Sequence, residues 1–260
     1  MIELKSITYE SLLPLLTDIP INTWFARSVL VGHADGKVFV DKEQDPASVY
    51  ICNGYGMTLL LGKSDNEIFN DELSHHLCTL DKCEWIQAYP RSWDVFLQSL
   101  VNNGTANLSV RVNLNFNRDI FEKNNNAPDT SGIDVISGTS DLIKNIDGSV
   151  VPKHFWKESS ISMCKSYVAL INNEPAAVAF SSYLHDEYLE IGIETVERYR
   201  GMGLATKVCT ALIRYCINEG LTPVWSCRLD NIGSMNLAKR VGFIENLRLP
   251  YYIVNPRVQA

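Results

Sequence analysis

The run Tyr199-Arg200-Gly201-Met202-Gly203-Leu204-Ala205-Thr206 constrains this chain more than any other stretch. Before it, Tyr188 to Val196 reads as a strand. After it, Gly203 to Glu219 has helical spacing, with Leu204, Val208, Ala211, Leu212 and Tyr215 on one face and Gly220 as its stop. Two glycines in three residues let the backbone turn tightly and approach a ligand closely. A helix that starts there offers unpaired N–H groups and the positive end of its dipole, a ready anion site. Each charge-assisted bond of this kind is worth roughly 1.5–3 kcal/mol, so three or four could anchor a pyrophosphate. Two common phosphate loops fail here. Thr206 stands where G-x-G-x-x-G needs its third glycine, and hairpins rather than a parallel βαβ unit precede the strand. G-x-x-x-x-G-K-[ST] is absent. What remains is Arg-x-x-Gly-x-Ala, at Arg200, Gly203 and Ala205, after the strand Glu190-Ile191-Gly192-Ile193-Glu194-Thr195.

The rest of the second half has the same clear grammar. Ser166 to Ile171 and Ala176 to Leu184 read as strands joined by Asn172-Asn173-Glu174-Pro175, and His185-Asp186 turns into the third strand. Thr222 to Cys227 is a strand and Asn231 to Val241 a helix, before Tyr251-Tyr252-Ile253-Val254. The first half reads as an α+β unit. A short helical start over Leu12 to Leu16 is interrupted by Pro14. Gly36 to Asp41 is the return arm of a hairpin turning at Ala34-Asp35-Gly36. Asn53-Gly54-Tyr55-Gly56 joins strands Ser48 to Cys52 and Met57 to Leu61. Helices follow over Asn66 to Leu80 and Ser92 to Val101, then a strand over Ser109 to Phe116. No internal repeat is evident. Glu122 to Asp129, the most polar and least periodic stretch, places a seam between domains 1–128 and 129–260.

With the strand, the Arg-x-x-Gly-x-Ala loop and the helix in that order, the chain resembles the GNAT superfamily of acyl-CoA-dependent N-acetyltransferases. A second stretch, Asn231-Ile232-Gly233-Ser234-Met235-Asn236-Leu237-Ala238-Lys239-Arg240-Val241-Gly242-Phe243, is similar to that superfamily's downstream signature. Within it, the chain resembles the branch typified by zwittermicin-resistance acetyltransferases, in which an extra N-terminal domain precedes the catalytic one. The resemblance implies an α/β (α+β) fold, with a GNAT-like mixed sheet flanked by helices behind a smaller N-terminal domain. It implies acetyl-CoA as co-substrate, its pyrophosphate held by the backbone of Arg200, Gly201, Met202, Gly203, Leu204, Ala205 and Thr206. Thr195 and Val196 would pair with the pantetheine amides, and Asn231, Ser234 and Lys239 would line the CoA side of the second helix.

Attack on a thioester needs a neutral amine. An amine of pKa about 10.4 is neutral in only about 1 part in 2,500 at pH 7, which costs about 4.6 kcal/mol, so a base is useful. Glu190 and Glu194 lie four apart on one strand, on the face opposite Leu189, Ile191 and Ile193. Either could bind a cationic acceptor or take its proton; the ordinary alternative is that both are solvated or paired with Arg198. Many GNAT enzymes carry a general-acid tyrosine four residues before the glycine of Gly-Phe, and here that position is Ala238. A thiol of pKa about 8.5 leaves as thiolate within about 2 kcal/mol at pH 7, and Ser226, Cys227, Tyr251 or Tyr252 could substitute. A degenerate acyl-CoA sensor is the alternative that Ala238 raises.

Composition narrows the remaining classes. Residues 1–130 carry ten basic and seventeen acidic side chains and residues 131–260 thirteen of each, so the net charge of −7 lies in the first half. That balance argues against nucleic acid and favours a small cationic amine, with the N-terminal domain as acceptor-side wall. No apolar run is long enough for a membrane helix, and the N-terminus lacks a signal-peptide pattern. Seven cysteines without a C-x-x-C pair read as reduced, mostly buried thiols in a cytoplasm. His75-His76-x-Cys78…Cys83 matches no zinc template, so no metal is expected. A homodimer is left open.

Overall fold

The structure, a computed structural model, describes residues 1–125 and 132–256. Tertiary contacts divide the chain into two compact units, Met1–Arg111 with Arg248–Ala260, and Val112–Leu247. The boundary expected at 128/129 lies outside the described residues.

Unit 1 opens with β1 (Ile2–Glu3), a 3-10 segment Ser6–Leu16 that contains Pro14, and α1 (Trp24–Leu30). Here the expectation from sequence needs correction. A helix, not a first hairpin arm, precedes Gly36, because Phe25, Ala26, Val29 and Leu30 form a buried helical stripe. The hairpin lies downstream instead: β2 (Gly36–Val40), β3 (Ser48–Asn53) and β4 (Met57–Gly62) form an antiparallel meander. Helix α2 (Glu67–Cys78) is capped by the Asn66 side chain, which accepts from the Phe69 amide. It leads to β5 (Glu84–Tyr89), parallel to β4, then α3 (Trp93–Asn102) and β6 (Ala106–Phe116). Strand β5 does not show in the sequence pattern because it is buried on both faces and includes Glu84 and Gln87, which break any apolar alternation. The core packs Phe69, Leu73 and Leu77 of α2 and Trp93, Leu97 and Leu100 of α3 against the sheet, joined by Tyr252 and Val254. Trp93 is fully buried, its indole N–H donating to the Gly62 carbonyl.

Unit 2 starts with the end of β6 and α4 (Arg118–Asn125). This helix covers part of the expected linker: Phe121 is buried in the core, and the Asn124 and Asn125 amides donate to the Arg240 carbonyl. Next come β7 (Asp134–Ser137) and α5 (Ser140–Lys144). The antiparallel run β8 (Ser166–Ile171), β9 (Glu174–His185) and β10 (Tyr188–Thr195) follows. Then α6 (Leu204–Asn218) crosses to β11 (Thr222–Arg228), parallel to β10, and α7 (Ile232–Arg240) leads into β12 (Phe243–Val254). One face of this sheet packs against Leu204, Val208, Leu212 and Cys216 of α6. The other packs against Ile143, Ile146, Val151 and Trp156, with the Trp156 indole donating to the Ser181 carbonyl.

The two halves repeat one element order that no sequence periodicity announces: three antiparallel strands, a helix, a strand parallel to the third, a second helix and a last strand. The last strands carry the chain across the division. Arg248–Val254 of β12 belongs to unit 1, where Tyr252 faces Ile86, and Val112 and Leu114 of β6 enter the core of unit 2. A truncated chain beginning at residue 126 therefore lacks Val112, Leu114 and Phe121, which leaves a hole in the core of unit 2. Unit 1 holds ten basic and fourteen acidic side chains and unit 2 thirteen and sixteen, so the negative charge is shared between the compact bodies. Among the described residues no helix is long and apolar enough to cross a membrane.

Gly242 illustrates how the second signature is built. It has φ +94, and its carbonyl accepts the Asn117 amide at 2.8 Å. A Cβ there would lie 2.7 Å from Cβ of Phe121 and 2.9 Å from the Asn117 carbonyl. Gly242→Ala is expected to destabilise the protein by roughly 2–4 kcal/mol through left-handed strain plus overpacking. Chemical denaturation checks it, and an unchanged midpoint would contradict this packing.

Candidate active site

The loop 196–203 enters α6 through two left-handed glycines, Gly201 at φ +81 and Gly203 at φ +77. A Cβ on either would meet no atom within 4 Å, so their strained backbone faces open space. Gly203 is the N-cap of α6 and supplies no side-chain cap, whereas Asn66, Thr139 and Asn231 cap α2, α5 and α7 with their own oxygens. The Arg200 amide donates to Glu197 and the Thr206 amide to Gly203. Among the described residues, the amides of Gly201, Met202, Gly203, Leu204 and Ala205 have no acceptor in the chain. This is a row of outward donors at a helix start, the chemistry an anionic phosphate group requires. Met202 is half exposed at its tip. The Arg240 guanidinium reaches the start of α6 and donates to the Thr206 hydroxyl at 3.3 Å, a contact that sequence spacing does not reveal.

Strands β10 and β11 part beside this loop. Their parallel ladder joins Tyr188–Glu190 to Thr222–Val224 and ends there, while β10 continues against β9 to Thr195. Unit 1 offers the comparison: β4 and β5 stay paired from Met57 to Leu61. The Val196 amide donates to the Ala176 carbonyl at 3.0 Å, so by antiparallel alternation Ile191, Ile193 and Thr195 turn their main-chain groups away from β9. The Thr195 amide is taken by Glu194 at 3.2 Å and its carbonyl by Arg200 at 3.3 Å. Ile193, absent from the sequence-based site, is thus the residue whose peptide faces the parting.

The two glutamates share a face of β10 but keep different company. Leu189 and Ile191 lie in the α6-side core with Ile193 against it, and Glu190, Gly192 and Glu194 face the other way. Glu190 is only 8% exposed and sits at the last rung of the β10–β11 ladder, where its Oε1 accepts the Ser226 hydroxyl at 3.0 Å. The register slips between Glu190 and Ile191, leaving Ser182 as the extra residue on β9. The Ser182 hydroxyl donates to the Glu190 carbonyl at 3.2 Å, fixing the backbone that presents this carboxylate. Glu194 accepts from Ser149, Val150 and Thr195 and lies 3.8 Å from Arg200. Arg198 pairs with Glu174 at 2.7 Å and stacks on Tyr199, which corrects the alternative in which it serves Glu190 or Glu194.

On α7, the Asn231 side chain caps the helix by accepting the Ser234 amide, and the Ser234 hydroxyl accepts the Trp225 indole at 3.1 Å. Lys239 is exposed near the end of the helix. Ala238 is fully enclosed in the core, a place with no room for a tyrosine ring. Cys227 and Cys209 are buried in the same core, and burial raises the pKa of Cys209. Tyr252 packs in unit 1, and burial together with Asp94, which accepts its hydroxyl, pushes its pKa up to about 12. No disulfide joins any of the seven cysteines.

The GNAT acetyltransferase family model matches residues 15–252, across both units. The chain belongs to the GNAT acetyltransferase family. It is 26% identical over 248 residues to the uncharacterized N-acetyltransferase YdfB of Bacillus subtilis (strain 168), covering 93% of this chain and 94% of the relative. In fold it is similar to a GCN5-related N-acetyltransferase-like protein from Streptococcus suis, with TM-score 0.69, 18% identity and coverage of 95% and 98% of the two chains. It also resembles a tandem GNAT protein from the clavulanic acid biosynthesis pathway, with TM-score 0.63, 10% identity and coverage of 98% and 96%. The GNAT match spans residues that a linear reading assigns to a separate leading domain, in keeping with the repeated element order.

Proposed function

We propose that unit 2 transfers an acetyl group from acetyl-CoA to the amine of a small, cationic acceptor, by direct attack of the amine on the thioester. The observation that carries this reading is the meeting of an open-amide glycine loop, a parted β10–β11 pair and a buried carboxylate at the parting. Acetyl-CoA supplies the activated acetyl group. The amides of Gly201 to Ala205 would hold its pyrophosphate, with Arg200 and Arg240 adding positive charge, and the peptide of Ile193 would meet the pantetheine. Thr195 and Val196 stay in this assignment as neighbours that shape the edge. Asn231 and Ser234 hold α7 in place, and Lys239 is left to face the solvent side of the cofactor.

Glu190 is the general base. Its carboxylate is held by Ser226 and takes the acceptor's proton directly or through one water. The cationic preference rests on this carboxylate rather than on a charge difference between the units. The likeness to the zwittermicin-resistance-type branch supports a small amine as acceptor, and reduced thiols suit a cytoplasmic setting.

Unit 1 repeats the element order without the site. Lys63-Ser64-Asp65-Asn66 replaces the glycine loop, Asn66 already caps α2, Asp65 and Glu67 flank the helix start, and β4 and β5 do not part. One acetyl-CoA should therefore bind per chain. Titration calorimetry reads this directly, and a stoichiometry of two would contradict it. Thiol release with acetyl-CoA over polyamines, aminoglycosides and amino-acid-derived amines then tests the reaction. Binding without amine-dependent release would refute the transferase reading.

A further inference from the structure

The hydrogen bonds of Glu194 lead in two directions. Its Oε2 accepts the Ser149 amide at 2.8 Å, the Ser149 hydroxyl at 3.0 Å and the Val150 amide at 2.9 Å. Its Oε1 accepts the Thr195 amide at 3.2 Å and lies 3.8 Å from the Arg200 guanidinium, whose Nε donates to the Thr195 carbonyl. The Glu194 side chain is 11% exposed. Gly148 presses against it so closely that a Cβ there would stand 2.5 Å from the Glu194 Cγ. The loop it grips is ordered from both ends. Ile146 and Val151 are buried in the core beneath it, Lys153 pairs with Asp147 at 2.8 Å, and the His154 ring contacts the Ser149 carbonyl.

A carboxylate whose oxygens already accept from three amides and a hydroxyl is poorly placed to reach a substrate proton, because the lone pairs that would take it are engaged. It is well placed to join what it touches. We propose that Glu194 is a positioning residue: its carboxylate fastens the loop Gly148–Val150, on the Glu190 face of β10, to Arg200 at the head of the glycine loop, and so couples the two substrate sides of the site. The inference rests on the assignment of the Glu190 face to the acceptor and of the glycine loop to acetyl-CoA.

The two directions separate in two variants. In Glu194→Gln the amide oxygen still accepts from Ser149 and Val150, while its NH2 group turns a donor toward Arg200 and the Thr195 amide. This variant should raise the KM for acetyl-CoA roughly ten- to a hundredfold, the equivalent of one lost charge-assisted bond, with a smaller change in the KM for the amine. Glu194→Ala releases both loops and should raise both KM values. In each variant the pH profile of kcat should keep the wild-type limb, since the base is elsewhere. A thermal melt shows that each variant is folded, and Glu194→Gln keeps the loop contacts should Glu194→Ala not fold. The proposal is overturned if Glu194→Gln removes the pH limb, or if a folded Glu194→Ala leaves both KM values unchanged. If Glu190→Gln retains full activity while the Glu194 variants behave as described, the base assignment fails and the coupling stands.

Discussion

Gly203→Asp is expected to abolish acetyl-CoA binding while leaving the protein folded. Gly203 has φ +77, and space is open where its Cβ would be, so a side chain can be accommodated sterically at a conformational cost of about 1–2 kcal/mol. The carboxylate, however, would stand among the outward amides of Gly201 to Ala205. It would cap them as Asn66 caps α2, and repel the phosphates they would otherwise hold. With bonds of roughly 1.5–3 kcal/mol each, losing two or three amounts to at least a hundredfold in affinity. Gly220→Ala is the matched control. Gly220 has φ +72 with nothing within 4 Å of its would-be Cβ, but it lies past the other end of α6. Calorimetry should find its acetyl-CoA affinity at the wild-type value despite a similar loss of stability. Retained affinity in Gly203→Asp would refute the loop assignment.

Glu190→Gln should lower kcat by about 10²- to 10⁴-fold, the usual worth of a positioned general base. The substitution keeps the size of the side chain, and its amide oxygen can still accept the Ser226 hydroxyl. A loss of activity would therefore reflect the missing base rather than a collapsed site. The KM for acetyl-CoA should be unchanged. The pH profile of wild-type kcat should carry a limb from this base, and the variant should lose that limb. Ser226→Ala, which removes one hydrogen bond to the carboxylate and keeps the carboxylate itself, should cost roughly tenfold. Steady-state kinetics across pH decide the matter, and wild-type kcat in Glu190→Gln would rule Glu190 out.

The sequence exposes the parts of this fold whose physics is local. The Asn172-Asn173 turn sits between alternating strands because both residues adopt positive φ, which asparagine tolerates. Helix α6 is legible from its apolar stripe and its glycine boundaries, and the glycine loop from its composition alone. Non-local features stay hidden. Trp24–Leu30 passes for a hairpin arm because apolar residues in a short run carry no firm period. Strand β5 is masked by Glu84, whose carboxylate is satisfied deep inside by Tyr50, Thr58 and Cys52. The repeat escapes a linear reading because it lies in pairing order: Asn66 and Gly203 occupy equivalent helix starts with opposite chemistry. The different environments of Glu190 and Glu194 depend on Ser226 and Ser149, 36 and 45 residues away, which strand alternation cannot reveal.

The most direct test of the transferase assignment is amine-dependent thiol release from acetyl-CoA by the intact chain, with the product mass read alongside. The expected result is thiol release with at least one small cationic amine, an acetylated product in equal amount, and loss of both in Gly203→Asp and Glu190→Gln. Tight acetyl-CoA binding with no amine-dependent release across the panel would contradict it.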